Sequence, residues 1–339
     1  MVKIKLLIVI IALVALIVSI VALSFPKAIP TGSVAGKQDE VKLRVGGHNT
    51  MLSVVLEIAK EKGFYAREGL DVEIERVESS KITVPAMARG DLDIIIASIS
   101  AGSFNALEKN SDFRIIADAS RVLPSVIVRR DLAGKMSGIA DLKGKTIMIP
   151  REGSASYYAL QKILNSTGLE IGDVVTRYLE EREAITAMEV KNIDAAILNE
   201  PYATYAVEKR IGIRFGQAEI SEIFPEEGQQ HMFLLSTTRL TKDKPDVLKK
   251  FLKAYADAAQ FYNHAKAGVE PERSGVVRIV SEYTGIEPEI VNKSAWIGID
   301  DHARPDIGYL REVQEYWYAN GLIKEKVLDE RTDLRFLPG

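Results

Sequence analysis

The sequence predicts an α/β protein built from two similar units, each a mostly parallel sheet covered by helices, with a helical tail returning to the first unit. Three observations carry this prediction. From Val41 onward, short β-rich runs alternate with amphipathic helical stretches; the same rhythm restarts about a hundred residues later; and beyond His231 the pattern turns helical with no strands of its own. A chain of 339 residues is also long for one core, so two domains are expected.

Taken in order, Val41–Val45 reads as the first strand. Met51–Lys62 follows as a helix with Leu52, Val55, Leu56 and Ala59 on one face, closing at Gly63. Strand Asp71–Val77, helix Ser80–Arg89, strand Asp93–Ala97, helix Ala101–Lys109 and strand Phe113–Ala117 complete a βαβαβαβ run. In the second unit, strand Lys145–Ile149, helix Ser154–Asn165, strand Val174–Tyr178, helix Ala184–Lys191, strand Asp194–Leu198 and helix Pro201–Lys209 repeat the pattern. The third strands of the two units look alike, Asp93-Ile94-Ile95-Ile96-Ala97 beside Asp194-Ala195-Ala196-Ile197-Leu198.

The tail begins with helix Pro245–Asn263, whose Leu248, Phe251, Leu252, Tyr255, Ala259 and Tyr262 form one apolar stripe. Further helices fall near Arg273–Tyr283, Pro288–Trp296 and Asp306–Asn320. Without strands of its own, the tail must pack on a sheet already built. Two crossing segments are therefore expected, near Arg121–Arg130 and near His231–Leu240. They divide the chain into lobe 1, residues 41–122 plus 237–339, and lobe 2, residues 123–236.

The N-terminus sets the compartment. After Lys3 and Lys5, the 20 residues Leu6–Phe25 have Ser19 and Ser24 as their only polar members. As a helix rising about 1.5 Å per residue, this run is about 30 Å long and matches a bilayer's hydrocarbon core. It reads as a transmembrane anchor or as a secretory signal, Ala22-Leu23-Ser24 being a passable cleavage site. The lysines before it place residues 1–5 in the cytoplasm. Residues 26–40, with Pro26, Pro30, Gly32 and Gly36, read as a stalk. Everything beyond it then stands at the outer face of the cytoplasmic membrane, anchored by a single pass or secreted.

Composition excludes several functions. Lys plus Arg total 44 against 47 Asp plus Glu, with no basic block, which argues against nucleic acid as a partner. The absence of Cys removes disulfides, thiol catalysis, thiolate-bound metals and lipidation at an N-terminal Cys. The run Gly153-Ser154-Ala155-Ser156 does not make the Gly-x-Ser-x-Gly turn of a serine hydrolase. Only four His are present, with no His-Glu-x-x-His; Asp300-Asp301-His302 reads as a solvated loop. An enzyme is not expected, and neither is a cofactor or a bound metal.

Ligands of open parallel sheets bind beyond the carboxyl ends of the strands, where helix N-termini offer unpaired N–H groups. The chain places Gly46-Gly47-His48-Asn49-Thr50, Ser79-Ser80-Lys81 and Ser98-Ile99-Ser100 at those positions in the first unit. In the second it places Arg151-Glu152-Gly153-Ser154-Ala155-Ser156 and Asn199-Glu200-Pro201-Tyr202. Two such rims facing one another make a cleft. Singly, Thr50, Ser154 and Ser156 also serve as N-caps, Arg121 as an ion-pair member, and Glu200 as the partner of a Lys or Arg of the chain. Lys81, Arg121 and Arg151 favour an anionic solute; Glu200 with Tyr157, Tyr158 and Tyr202 would suit an amino-bearing or aromatic one.

The stretch Glu57–Ile74, with Glu61-Lys62-Gly63-Phe64-Tyr65-Ala66-Arg67-Glu68-Gly69-Leu70 at its centre, resembles the early signature of ABC-transporter substrate-binding proteins of the nitrate/sulfonate/taurine class. That class shares its domain with thiamine-pyrimidine-binding proteins. Met87–Asp93, Asp141–Ile147, Gly153–Ser156 and Ile193–Tyr202 match the family in order, over roughly residues 41–265. The resemblance implies a type II periplasmic-binding-protein fold closing by hinge motion over a small-molecule solute. It further implies a membrane permease and a cytoplasmic ATPase on other chains, since this one has no P-loop, and a monomer. By position it implies a ligand site of His48, Asn49, Thr50, Ser100, Arg121, Ser154, Ser156 and Glu200. The solute would be a nitrate-, sulfonate- or taurine-like anion or, alternatively, a thiamine-precursor-like pyrimidine. A membrane-tethered ligand sensor is the competing role.

Overall fold

A computed structural model describes residues 40–48, 50–77, 80–225 and 228–339. The expected cytoplasmic tip, the Leu6–Phe25 span and the stalk up to residue 39 lie outside the described residues, as does Asn49. Among the described residues no helix is long and apolar enough to cross a membrane.

The first half runs β1 (Val41–His48), α1 (Val54–Glu61), β2 (Leu70–Val77), α2 (Ser80–Arg89), β3 (Ile94–Ser98), α3 (Ala101–Lys109) and β4 (Phe113–Val122). The chain then crosses through β5 (Ser125–Arg129) to β6 (Thr146–Ile149), α4 (Ala155–Asn165), β7 (Val175–Tyr178), α5 (Glu181–Glu189), β8 (Ala195–Leu198), α6 (Tyr202–Glu208) and β9 (Gly212–Arg214). It returns through β10 (Gln229–Thr237) and ends in α7 (Pro245–Lys266), α8 (Glu272–Thr284), α9 (Pro288–Lys293) and α10 (Ile307–Ala319).

Two five-stranded sheets share one plan, β2-β1-β3-β10-β4 and β7-β6-β8-β5-β9. In each, the second strand, β1 or β6, is parallel to both its neighbours, while the fourth strand, β10 or β5, is antiparallel and comes from a crossing segment. Only Leu123 and Pro124 separate β4 from β5, so the first crossing is nearly immediate. Gly228, just before β10, packs against it. Its φ is +83°, and a Cβ there would lie 2.2 Å from the Val122 carbonyl carbon and 2.4 Å from Leu123 N, so the two crossings meet backbone to backbone.

One expectation is corrected here. Residues 229–236, assigned from sequence to lobe 2 and to a turn into helix, form β10 within the first sheet. The strand is buried at eight of its nine positions, so it shows none of the polar alternation that marks a half-exposed strand. β5 was hidden in the same way, as part of a presumed crossover. Helix α5 begins at 181 rather than 184 because Glu183 Oε2 accepts the Glu180 N–H at 3.1 Å, closing a capping box ahead of the apolar stripe.

The tail covers both faces of the first sheet. On one, the predicted α7 stripe is buried throughout and packs beside α1, with Phe251 stacked on Tyr65 at 5.2 Å between centroids. On the other, α10 brings Leu310, Val313 and Trp317 to α3, where Trp317 meets Phe104 edge-on at 5.3 Å. Each such fully buried side chain contributes about 1.5–3 kcal/mol. The second sheet buries Leu160, Ile163 and Leu164 of α4 on one face and Ala184, Met188, Ala203 and Ala206 of α5 and α6 on the other.

Candidate functional site

The carboxyl ends of the parallel strands in both sheets converge where the halves meet. Gly153, between β6 and α4, sits at φ +66° and its carbonyl accepts the Ala101 N–H at 2.8 Å; a Cβ on Gly153 would lie 2.9 Å from Ala101 Cβ. The first N–H of α3 is thereby taken by the loop before α4. Ser100 and Ser154 act as caps: Ser100 Oγ accepts from Ser103 N at 3.2 Å, and Ser154 Oγ accepts from Tyr157 N at 3.1 Å while donating to Arg151 O at 2.8 Å. Ser156 is buried in the first turn of α4.

The other predicted residues divide into two groups. Arg121 Nε donates to Asp118 Oδ2 at 3.2 Å and its NH2 to Arg304 O at 3.3 Å, which makes it an ion-pair member. Burial raises the Asp118 carboxyl to about 7 even with Arg121 opposing. Glu200, beside the cis Glu200–Pro201 peptide, pairs with the Arg214 guanidinium and accepts Thr204 N at 3.1 Å. Both are committed to the chain itself. His48 and Thr50, by contrast, face the junction. His48 is buried at the end of β1 with its N–H on Ser53 Oγ at 2.8 Å, and Thr50 Oγ1 is buried without a partner.

The structure adds groups that were not in the expected set. Arg151 is half-buried and, among the described residues, its guanidinium makes no hydrogen bond or ion pair; burial pushes that group below its ordinary value, with Glu180 partly opposing. His231 is buried in β10. Burial, Arg151 and His48, in that order, lower its imidazole to about 4. Arg151 and His48 both act on His231, so the guanidinium and the two imidazoles lie near one another at the junction. Arg151 was visible in the sequence as a rim cation. His231 was not, because β10 was not recognised.

A second part of the junction is acidic. A cavity of about 450 Å³ is lined by Thr50, Glu180, Glu181, Arg182, Glu183, Thr186, Tyr202 and Tyr283. Arg182 is pinned in its wall, its NH2 donating to Thr284 O at 2.9 Å and to Tyr202 OH at 3.5 Å. Glu181 is buried, accepts the Asn199 N–H at 2.6 Å, and is raised by burial to about 7. Among the described residues no His, Asp or Glu cluster has the spacing of a metal site.

A family model described as NMT1-like matches residues 36–273. The chain belongs to the NMT1-like family. A curated binding protein of Brucella abortus is 25% identical over 204 residues, 60% of this chain and 61% of the relative, so the match spans less than two thirds of that relative's length. Among solved structures, the alkanesulfonate-binding protein SsuA from Xanthomonas axonopodis pv. citri bound to MOPS superposes with a TM-score of 0.68 at 18% identity, covering 87% of this chain and 98% of that one. The periplasmic nitrate-binding protein NrtA from Synechocystis PCC 6803 gives 0.70 at 17% identity, covering 88% of this chain and 87% of that one. These likenesses are of fold, and the fold of this NMT1-like chain is that of the periplasmic binding proteins.

Proposed function

We propose that the chain is the extracytoplasmic solute-binding component of an ABC importer and closes by hinge motion over a small anion such as a sulfonate, nitrate or carboxylate. The observation that carries this reading is Arg151: a half-buried guanidinium at the junction, with no acceptor among the described residues and two buried imidazoles beside it. Buried charge is ordinarily paired, and an anion between the halves would pair it. The SsuA and NrtA neighbours, named for alkanesulfonate and nitrate, support the same chemistry.

In this reading the moving bodies are the two sheets with their helices, divided at Leu123–Pro124 and at the return segment before β10, with 229–236 moved from lobe 2 to lobe 1. Solute bridges them and shifts the population toward the closed form recognised by a permease and its ATPase on other chains. His48, Asn49, Thr50 and the start of α4 remain in the proposed site, joined by Arg151 and His231. Tethering through Leu6–Phe25, and action as a monomer, belong to the same proposal. Calorimetric titration of the full chain in detergent with alkanesulfonates, nitrate and short carboxylates tests it; saturable binding of one class is expected. A folded protein that binds none of them, even after unfolding and refolding to strip bound solute, overturns the anion reading.

A further inference from the structure

A cavity of about 310 Å³ lies behind the crossing strands. In the order β2-β1-β3-β10-β4 the outer strand is β4, and Gly298 pairs with Arg121 on its free edge, donating to Arg121 O at 2.9 Å and accepting Arg121 N at 2.7 Å. Residues 295–298 are thereby fixed beyond β4, away from the ends of β1 and β3. The cavity opens between them and the β5–β9 side of the second sheet, where Ser125 starts β5 and Arg214 ends β9. Leu123 of the first crossing lines it, and none of His48, Arg151 and His231 does. Its wall is mixed in character. Trp296, held by its Nε1 on Val291 O at 3.2 Å and stacked on Tyr262, forms an apolar side with Ile297. Arg121, Arg214 and Lys266 face one carboxylate, Glu200, which pairs with Arg214; Asp118, buried in β4, partners Arg121. The lining keeps a positive excess. Gln217 Oε1, in the same wall, is buried and has no hydrogen-bond partner among the described residues, and a buried acceptor calls for a donor.

We propose that this cavity is a second binding site, for a small amphiphilic anion: a flat apolar body against Trp296 and Ile297, a carboxylate toward the cations, and a hydroxyl or N–H donor for Gln217 Oε1. Its volume is at the small end of ligand pockets, about 300–1,000 Å³. The site also acts on the cleft. Cavity and cleft lie on opposite sides of the crossing strands, so a rotation that closes one widens the other. The halves already meet on the cleft side through the Ala101–Gly153 hydrogen bond. A ligand that fills the cavity at this width resists reopening of the cleft, and by linkage it and the cleft solute tighten each other's binding equally. This coupling rests on the hinge closure proposed above; binding at the cavity does not.

The test uses benzoate, 4-hydroxybenzoate and the uncharged 4-hydroxybenzamide as probes, titrated calorimetrically into the full chain in detergent. The hydroxy acid is expected to bind saturably, benzoate severalfold more weakly for want of the donor, and the amide at least tenfold more weakly for want of the charge. Gln217→Leu is expected to bring 4-hydroxybenzoate to the level of benzoate. Arg151→Met, on the other side of the crossing strands, is expected to leave it within twofold of wild type. Saturating 4-hydroxybenzoate should tighten whichever of nitrate or the alkanesulfonates binds in the cleft severalfold, and that anion should tighten 4-hydroxybenzoate by the same factor. Absence of saturable binding by either acid overturns the inference, whatever the cleft binds. Binding lost in Arg151→Met and untouched by Gln217→Leu places the probe in the cleft and overturns it as well. Binding at the cavity that leaves the cleft anion unaffected, or weakens it, overturns the coupling. If no anion enters the cleft, the anion reading falls and the coupling with it, while the probes still decide the cavity.

Discussion

The Tyr158 hydroxyl donates a 2.6 Å hydrogen bond to Glu312 Oε1, which joins α4 of the second half to α10 on the first. Lys162 Nζ reaches the same oxygen at 3.0 Å, and the Tyr158 ring lies 4.9 Å from Tyr316 and 6.3 Å from Tyr309, centroid to centroid. Partial burial opposes ionisation of Glu312, but the Tyr158 hydroxyl and Lys162 outweigh it and hold the carboxyl below its ordinary value. The Gly153–Ala101 bond makes a second contact between the halves nearby. Together they form a clasp at one side of the junction.

Replacing Tyr158 with Phe keeps the ring packing and removes the donor, so the whole effect falls on this clasp. A hydrogen bond to a charged acceptor contributes about 1.5–3 kcal/mol when shielded, and the half-exposed Glu312 reduces that to about 1 kcal/mol. Solute affinity should fall about fivefold while far-UV circular dichroism stays unchanged, because the cost is borne by the closed form. An unchanged dissociation constant by calorimetry would show that the clasp does not contribute to closure.

Gly228→Ala is expected to be among the most damaging single substitutions outside the cleft. The added methyl would lie 2.2 Å from the Val122 carbonyl carbon, which belongs to backbone and cannot rotate away, and φ +83° adds strain for any L residue. A loss of at least about 3 kcal/mol in urea unfolding is expected. Gly134→Ala, where nothing lies within 4 Å of the new methyl, serves as the control and should change stability by less than about 1 kcal/mol.

His231 sets part of the acid limit of stability. Its folded value of about 4 lies below the ordinary 6.5, so above pH 6.5 both folded and unfolded chains carry a neutral imidazole. As pH falls from 6.5 toward 4, only the unfolded chain takes up the proton, and stability is lost over that window, with an upper bound of about 3 kcal/mol. Asp118 and Glu181, raised to about 7, act with the opposite sign: from their ordinary values up to about 7 the folded chain keeps protons that the unfolded chain has released, so their contribution falls as pH rises. The His231→Gln variant should therefore lose less stability than wild type between pH 6.5 and 4.5 by urea unfolding, and identical slopes would remove His231 as the titrating group.

Periodicity made the α7 stripe legible, because that helix buries one face and leaves the other wet, whereas β3 and β8, buried at every position, were legible as short apolar runs between helical stretches. β5 and β10 are buried in the same way but lie in the crossing segments, where the βαβ rhythm is interrupted and nothing marks them as strands. The rim positions were legible for the same reason that N-caps are, and caps are what Ser100 and Ser154 proved to be. Whether a polar residue at a strand end serves its own helix or a solute depends on what the other sheet brings against it. That is a long-range fact, decided at Ala101 by Gly153 and at Glu200 by Arg214. Arg151 stands out only once its guanidinium is seen to have no acceptor among the described residues.

Arg151→Met separates binding from stability. The guanidinium is half-buried with burial opposing its charge and, among the described residues, no hydrogen-bond acceptor to offset the cost, so an apolar side chain of similar length should leave the melting temperature measured without solute unchanged or raise it by a few degrees. In the complex the same residue carries the charge that meets the anion, and its loss should weaken binding by at least tenfold, about 1.4 kcal/mol. The two effects have opposite sign because the cost is present without solute and the gain only with it. The helix start at α4 and the imidazoles of His48 and His231 would be left to hold the anion, which predicts residual binding rather than none. Thermal unfolding and calorimetry on the same preparation decide the matter. A variant that melts several degrees lower would mean that Arg151 is a structural residue, and unchanged affinity would move the anion site elsewhere in the cleft.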